Sequence, residues 1–238
     1  ASITFAGSFP GRTQTVPMSV YELVSTDYEA SLALSFAMMV VAVGIIALDD
    51  RPLASLAEAR PLPAGEIGEI IVRGPVVTRE YDGLPDATAA AKIADGGEVW
   101  HRMGDCGFID AAGRLWFCGR KAERVETAAG PLHTEPCEQV FRPHPAVARC
   151  ALVGLGDRPR QEPALVVEVT PTGPAAAANL ARELRALALR HPHTASIRRF
   201  LFHPRFPVDV RHNAKIHRLT LARWALRAKV WVAPEGDA

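Results

Sequence analysis

The chain has 238 residues, of which 48% are apolar and 22% are charged, the proportions of a globular protein with a real core. Its 27 basic and 26 acidic residues give a net charge of +1, which argues against a nucleic-acid partner because such proteins show a basic surface. The cysteines include no C-x-x-C pair, which predicts reduced cytoplasmic thiols and no metal site. They are Cys106, Cys118, Cys137 and Cys150.

Residues 30–48 form an uncharged run of nineteen residues. As a helix this run would be ~28 Å long, about the thickness of a bilayer core. It therefore predicts either a membrane-spanning helix or a buried element of a soluble core. Under the first alternative, a cytoplasmic protein would also contact the membrane through residues 30–48.

The middle of the chain predicts a β-rich region. An apolar run between glycines predicts a strand within residues 65–74. Residues 85–96 begin with proline and end at glycine, which predicts a short helix. Residues 104–120 predict two strands joined by a turn at residues 110–113.

After Arg120 the pattern predicts a compact α+β unit. Leu180, Leu184 and Leu187 recur at helical spacing within residues 179–191. The other expected elements are a helix near 134–142 capped by Thr134, strands near 147–154, 164–169 and 197–202, and a helix near 215–228.

The head of the chain contains ITFAGSFPGRTQTVPMSVYELV, residues 3–24. This segment resembles the region after the cytoplasmic coupling loop of a molybdate-type ABC transporter permease, and PGRTQTVP is its most specific part. The resemblance implies a permease-like head with a short apolar helix, joined near Val43 to a second family. The apolar run would then end in a strand of that second family from Ile45 to Leu48.

Four motifs follow in a fixed order: GEIGEIIVRGP (65–75), WHRMGDCGFID (100–110), GRKAERV (119–125) and NAKIHR (213–218). Together they are similar to the late motifs of the adenylate-forming, or AMP-binding, superfamily. The resemblance implies an α+β fold: the small C-terminal domain of that superfamily plus the end of its large domain, preceded by a short apolar helical head. We therefore expect a head at residues 1–43, a β-rich end of the large domain at 44–120 and a small domain at 121–238.

Within the superfamily, the sequence is most similar to olefin-biosynthesis β-lactone synthetases. The segments that carry this resemblance are IIALDDRPL, LPAGEIGEIIVRGPVVTREY, LWFCGRKAERV and FPVDVRHNAKI. That resemblance implies ATP-dependent formation of an acyl-adenylate, with Mg²⁺, followed by closure of a β-hydroxy fatty acid or another acyl substrate to a β-lactone. Fatty acyl-CoA ligases are the alternative, and only they would require coenzyme A.

The resemblance also implies site residues. Lys215 holds the position of the catalytic lysine, and a compact cation on a flexible stem suits the charge that develops at the reacting phosphate. Asp105 holds the position of the aspartate that accepts hydrogen bonds from both ribose hydroxyls. Arg120 holds the position of an arginine near ribose and phosphate. We expect Arg218, one turn further along the predicted helix, to be a solvated surface charge.

Some positions depart from the family pattern. Met103 stands where Thr or Ser is usual, and Ala122 follows Lys121 where many relatives have Asp or Lys. Glu138 still suits a contact made by a helix. The sequence contains no phosphate-binding loop of the Walker or adenylate-forming type. We therefore expect an enzyme part that is inactive alone, with a single-pass membrane fragment and a binding module without chemistry as the alternatives.

Overall fold

A computed structural model describes residues 24, 26–31, 42–209 and 216–233. The chain divides into two compact units, Ala1–Trp116 (unit 1) and Phe117–Ala238 (unit 2). Each unit has its own sheet and its own buried apolar side chains. The domain limits predicted at residues 43 and 120 remain predictions.

Unit 1 is built on a β-sheet in the order β1-β2-β4-β3, in which each neighbouring pair is antiparallel. The strands are β1 (Ala42–Ile46), β2 (Gly68–Arg73), β3 (Lys92–Asp95) and β4 (Glu98–Ile109), with a 3₁₀ turn at Leu56–Glu58 and helix α1 (Pro85–Ala91) between β2 and β3. The predicted strand in residues 65–74 is therefore confirmed. The next strand, β5 (Leu115–Arg120), pairs with β4 and contains the boundary between the units.

The end of the apolar run at residues 30–48 is a strand. Ile45 and Ile46 in β1 are buried, and Ile45 pairs with Ile70 of β2. A single helix across the whole run is therefore wrong, and the predicted strand begins at Ala42 and ends at Ile46. Residues 32–41 lie outside the described residues, as do residues 1–23 of the permease-like head. Within the described part of the chain, no helix combines the length and apolar content needed to cross a membrane.

The helix predicted over residues 85–96 is only half correct. Helix α1 stops at Ala91, and the next four residues form β3. Ile93 is completely buried there and joins Ile46, Leu53 and Ile71 in the apolar cluster of unit 1. Pairing with β4 and burial of Ile93 override the helical pattern, because both stabilise the extended conformation of residues 92–95. The turn predicted at residues 110–113 is present, and the Gly113 N–H donates to the Asp110 carbonyl at 2.9 Å.

Unit 2 contains a four-stranded sheet in the order β11-β10-β9-β8, together with a two-stranded ribbon. Its elements are a 3₁₀ turn at Lys121–Glu123, β6 (Val125–Thr127), β7 (Gly130–Leu132), α2 (Thr134–Phe141), β8 (Cys150–Leu155), β9 (Glu162–Glu168), α3 (Pro174–Leu189), β10 (Arg199–His203), α4 (Arg218–Ala225) and β11 (Trp231–Val232). Strands β9 and β10 are parallel, and α3 connects them. The α+β architecture expected after Arg120 is confirmed.

Alternating side chains cover both faces of the unit 2 sheet. On β9, Leu165 and Val167 face one apolar cluster, while Ala164 and Val166 face another. The first cluster includes side chains of α2 and α3, and the second includes side chains of α4. Because successive residues of a strand point to opposite faces, the two clusters follow from a near-continuous apolar run.

The start of α2 differs from the prediction. Thr134 is already helical, and the cap position belongs to His133, whose backbone is extended. The Thr134 Oγ1 atom is buried and has no hydrogen-bond partner in the described part of the chain. Thr134 therefore does not cap the helix. Helix α3 begins at Pro174 rather than near residue 179, because the preceding alanines continue it.

Candidate functional site

Lys215 lies outside the described residues, and the described chain resumes at Ile216. Ile216 forms an isolated antiparallel bridge with Val208. The His217 N–H donates to the Pro207 carbonyl at 3.0 Å, and α4 begins at Arg218. The role of Lys215 therefore stays a prediction. The two residues that follow it, Ile216 and His217, both have backbone partners.

Asp105 lies near the end of β4 in unit 1. Its side chain is half-buried, and its Oδ1 atom is buried. The preceding residue, Gly104, has φ +66°, a backbone conformation that side chains rarely allow. The glycine of the G-D motif is therefore required by the local backbone that presents Asp105.

A buried arginine organises the same strand. Arg102 is only 4% exposed in its side chain, and its Nη2 atom binds the Glu69 carboxylate at 2.6 Å. Its Nη1 atom donates to the Arg51 carbonyl at 2.7 Å, and its Nη2 atom donates to the Asp49 carbonyl. Arg102 thus fastens the loop after β1 to the strand that bears Asp105. The motif match pointed to this position without indicating any of these partners.

Arg120 is exposed at the end of β5, in unit 2. It precedes the 3₁₀ turn at residues 121–123. Gly119, just before it, has φ +117°, and a Cβ there would lie 2.1 Å from the Thr134 Oγ1 atom. Close approach of α2 therefore excludes any larger residue beside Arg120. Asp105 and Arg120 lie in different units.

A charged cluster in unit 2 was not indicated by the sequence. Arg218 donates from Nε and Nη2 to both carboxylate oxygens of Glu138, at 2.9 and 2.8 Å, and from Nη1 to Glu123 at 3.2 Å. Its Nη2 atom also lies 3.5 Å from Glu135. The Arg218 side chain is 13% exposed and that of Glu138 is fully buried. The expectation of a solvated Arg218 is therefore wrong, because three acidic side chains from distant positions surround it.

Burial also changes the acid–base properties of this region. It raises the pKa of the Glu138 carboxyl, against the opposing effects of Arg218 and the Leu152 N–H. It lowers the pKa of His133 to about 4, and the nearby Arg124 adds to this effect. His133 is thus a neutral side chain at the start of α2 at neutral pH.

None of the four cysteines forms a disulfide bond, and all four are buried. Burial raises the pKa of Cys118 to about 11 and those of Cys137 and Cys150 to about 12. A thiol must ionise to act as a nucleophile, so at neutral pH these side chains behave as apolar core residues.

Two comparisons with curated proteins identify related enzymes. An olefin β-lactone synthetase from Xanthomonas campestris pv. campestris is 48% identical over 233 residues, which cover 92% of this chain and 42% of that protein. One from Stenotrophomonas maltophilia is 48% identical over 227 residues, covering 90% of this chain and 41% of that protein. The chain thus spans about two fifths of the length of these relatives. No protein-family model matches it.

Solved structures agree with these relatives on the fold. An amide bond synthetase from Marinactinospora thermotolerans has a TM-score of 0.60 and 28% identity, over 77% of this chain and 34% of that one. An anthranilate CoA ligase in complex with anthranoyl-AMP has a TM-score of 0.60 and 25% identity, over 78% of this chain and 33% of that one. The chain therefore has the fold of the C-terminal part of adenylate-forming enzymes.

These matches bear on the permease-like head. Residues 44–238 make up little more than four fifths of the chain. Matches covering 92% and 90% of it must therefore include residues before position 44. The resemblance of residues 1–43 to a transporter receives no support from them, and neither does a change of family near Val43.

Proposed function

Since this chain is homologous to olefin β-lactone synthetases and has the fold of the C-terminal part of adenylate-forming enzymes, we propose that it belongs to an enzyme that activates a carboxylic acid with ATP. The observation that carries this proposal is the 48% identity over 92% of the chain. In this reaction the carboxylate attacks the α-phosphate of ATP. An acyl–phosphate bond forms and pyrophosphate leaves.

Three residues are assigned to this step. We propose that the Lys215 ammonium stabilises the negative charge that develops between the carboxylate and the phosphate. The Asp105 carboxylate, held half-buried on β4, would accept hydrogen bonds from the ribose hydroxyls. The exposed Arg120 guanidinium would bind near the ribose and phosphate. The proposed co-substrate is ATP, bound together with Mg²⁺.

The second proposed step forms the β-lactone. The β-hydroxyl oxygen of the activated acid attacks the acyl carbonyl, loses its proton and displaces AMP. No external nucleophile is needed, because the hydroxyl and the carbonyl belong to the same molecule and proximity supplies a high effective concentration. The proposed substrate is a β-hydroxy fatty acid or another acyl acid with a 3-hydroxyl group.

A CoA ligase is the second candidate. A 4-chlorobenzoate–CoA ligase from an Arthrobacter species is 43% identical over 98 residues, which cover 40% of this chain. Release of AMP from a 3-hydroxy acid separates the two functions. A lactone-forming enzyme turns over without coenzyme A and stops at the adenylate with the 3-deoxy acid. Strict dependence of turnover on coenzyme A would assign the chain to the ligases.

The adenylation step is tested by Lys215→Ala. This chain is fused to the part of the Xanthomonas campestris synthetase that precedes the matched region, and acid-dependent exchange of pyrophosphate into ATP is measured. Loss of one preorganised charged contact costs about 3–4 kcal/mol, so the exchange rate should fall by about 10²–10³. An unchanged rate in the variant would refute the assignment of Lys215.

The matched control is Lys229→Ala. The Lys229 ammonium lies 4.2 Å from the ring centre of Trp231 and removal of it takes away the same charge from unit 2. Exchange in this variant should stay within about twofold of the parent, since a surface cation–π contact contributes ~0.5–1 kcal/mol to stability alone. Arg218, the control that the sequence suggested, is unsuitable because it is buried and paired.

We propose a cytoplasmic location for this activity, since all four cysteines are buried thiols that form no disulfide bond.

A further inference from the structure

The first residue of α4, Arg218, has a guanidinium that reaches three acidic side chains. Its Nε and Nη2 atoms bind the two oxygens of Glu138 as a fork, and its Nη1 atom binds Glu123 at 3.2 Å. Its Nη2 atom also lies 3.5 Å from Glu135. A planar fork of this kind fixes direction as well as distance.

The acidic partners belong to different parts of unit 2. Glu138 lies on α2 and accepts the backbone N–H of Leu152 in β8 at 3.0 Å. Glu123 ends the 3₁₀ turn that directly follows Arg120. One guanidinium therefore joins the start of α4 to the centre of the unit and to the turn beside Arg120.

We propose that Arg218 is a positioning residue, which holds the segment that directly follows Lys215 (residues 216–218) against the turn beside Arg120. This proposal rests on the proposed function, because Lys215 and Arg120 matter there as groups that meet ATP. Lys215 is bonded to Ile216, and consecutive Cα atoms are about 3.8 Å apart. Arg218 thus acts on the residues that directly follow the proposed catalytic lysine.

The pairing favours a single arrangement. Glu138 is fully buried, and removing Arg218 would take away both guanidinium hydrogen bonds of its carboxylate and leave it, among the described residues, only the longer 3.4 Å contact with Arg142 as a compensating charge. The backbone contacts next to Lys215 are few by comparison: the bridge from Ile216 to Val208 and the hydrogen bond from His217 to Pro207. Arg218 is therefore the strongest attachment described for this segment. Ile216 and Arg218 also line a cavity of about 310 Å³, so the segment has open space on one side.

Arg142 provides a matched control for charge. Its Nη2 atom binds Glu135 at 2.9 Å and Glu138 at 3.4 Å, two of the acidic side chains that Arg218 contacts. It follows α2, the helix that bears both glutamates, so it ties no other segment to them. A role limited to balancing acidic charge would be shared by both arginines, whereas of the two only Arg218 belongs to the segment 216–218 that follows Lys215.

The first experiment uses the full chain and backbone hydrogen exchange. In Arg218→Lys the charge is kept and the fork is lost, so the variant should remain folded. Exchange at the His217 amide should rise by about tenfold or more, while the amide of Val166 in the centre of β9 should stay protected. Arg142→Lys should leave the His217 amide within about twofold of the parent. An unchanged His217 amide in Arg218→Lys would overturn the proposal, whatever the activity.

The second experiment uses the fused enzyme described for Lys215→Ala. A displaced catalytic group slows the reaction more than it weakens binding, and small misplacements cost up to about 10²-fold. Arg218→Lys should therefore lower kcat by about tenfold or more and change KM for ATP by less than about twofold. Arg142→Lys should leave kcat within about twofold. Equal loss of kcat in the two variants, or a change confined to KM, would overturn the positioning role.

The two experiments separate this proposal from the function it rests on. Faster exchange at His217 in Arg218→Lys, together with full activity in Lys215→Ala, would support the positioning role of Arg218 and refute the proposed function. Restoration of kcat in Arg218→Ala by free guanidinium would show that a positive charge near the glutamates is sufficient for activity. It would overturn the positioning role of Arg218. No restoration, together with faster exchange in Arg218→Lys, supports it.

Discussion

The two units of this chain are stabilised in different ways. Unit 2 buries apolar side chains on both faces of its main sheet, in two clusters that include three helices. Among its described residues, unit 1 buries one small cluster, centred on Ile46, Leu53, Ile71 and Ile93, and beside it the ion pair of Arg102 with Glu69. An apolar core gains free energy from every contact, whereas a buried ion pair gains little net free energy and mainly excludes other arrangements. We therefore expect unit 2 to be the more stable part and unit 1 to depend more on a single interaction.

The largest expected effect is removal of an apolar side chain from unit 2. Phe200 on β10 is completely buried in the cluster with α2 and α3. Phe200→Ala should lower the free energy of unfolding of unit 2 by about 3–5 kcal/mol, through lost burial and the cavity it leaves. Chemical denaturation followed by hydrogen exchange of unit 2 amides measures it. Phe117→Ala is the control, because Phe117 is 51% exposed and its loss should cost at most about 0.5 kcal/mol.

A slightly smaller effect is expected from the ion pair of unit 1. Arg102→Met leaves Glu69 buried without its partner and should destabilise unit 1 by about 3 kcal/mol. Hydrogen exchange of the β2 and β4 amides would report it. The double variant Arg102→Met with Glu69→Leu should recover part of that loss, since it removes the uncompensated carboxylate but does not restore the hydrogen bonds from Arg102 to the Arg51 and Asp49 carbonyls. Arg73→Met is the control: Arg73 and Asp95 are 38% and 34% exposed, so their pair contributes about 1 kcal/mol or less.

Acid should weaken unit 2 through His133. Its pKa is about 4 in the folded chain, below the ordinary value of 6.5, because burial disfavours the charged form. The unfolded chain therefore binds a proton at a higher pH than the folded chain. The stabilisation is fully present above pH 6.5 and is lost as the pH falls toward 4. Between pH 6.5 and 5 the loss should reach about 2 kcal/mol, at 1.36 kcal/mol for each pKa unit.

The check compares His133→Gln with the parent chain over that pH range, because groups that titrate in both proteins cancel in the difference. The variant should show a shallower fall in unfolding free energy. His191→Gln, which alters an exposed histidine, should follow the parent curve. Identical slopes for all three proteins would contradict the role of His133.

The smallest effect concerns the two units directly. Limited proteolysis should cleave unit 1 about tenfold faster than unit 2, which corresponds to about 1.4 kcal/mol in the free energy of local opening. A fragment of roughly residues 120–228 should remain, as its own apolar clusters predict. Early cleavage within residues 147–202 would reverse the comparison and show that unit 2 needs unit 1 to stay folded.

Much of unit 2 could be predicted from local patterns. Leu180 and Leu184 share one face of a helix because three to four residues complete a turn, and both are buried. The apolar residues of β8 and β9 are consecutive, which indicates strands buried on two faces. The proline at residue 85 and the glycine at residue 96 predict a single helix that includes residues 92–95. Only the partner strand β4 makes them extended.

The candidate site shows the same division. Its motifs identified Lys215, Asp105 and Arg120 as positions, since a motif is a local property of the sequence. The surroundings of these positions could not be read in that way. In the sequence, Gly119 is only a position that matches a motif. The structure explains why it is glycine, because a Cβ there would collide with Thr134 at the start of α2.

The sequence by itself determined the family motifs, the apolar faces and the main helices and strands of unit 2, because these depend on residues within a few positions of one another. Strands β3, β6, β7 and β11 were not predicted. Tertiary structure alone decided what Arg218 does. Its partners Glu138 and Glu123 are 80 and 95 positions away, and no periodicity links charges over such distances. An arginine at the start of a helix is exposed by default. Here the fold brings three acidic side chains against it. Desolvation strengthens the electrostatic interaction of these charges and makes the loss of a partner costly.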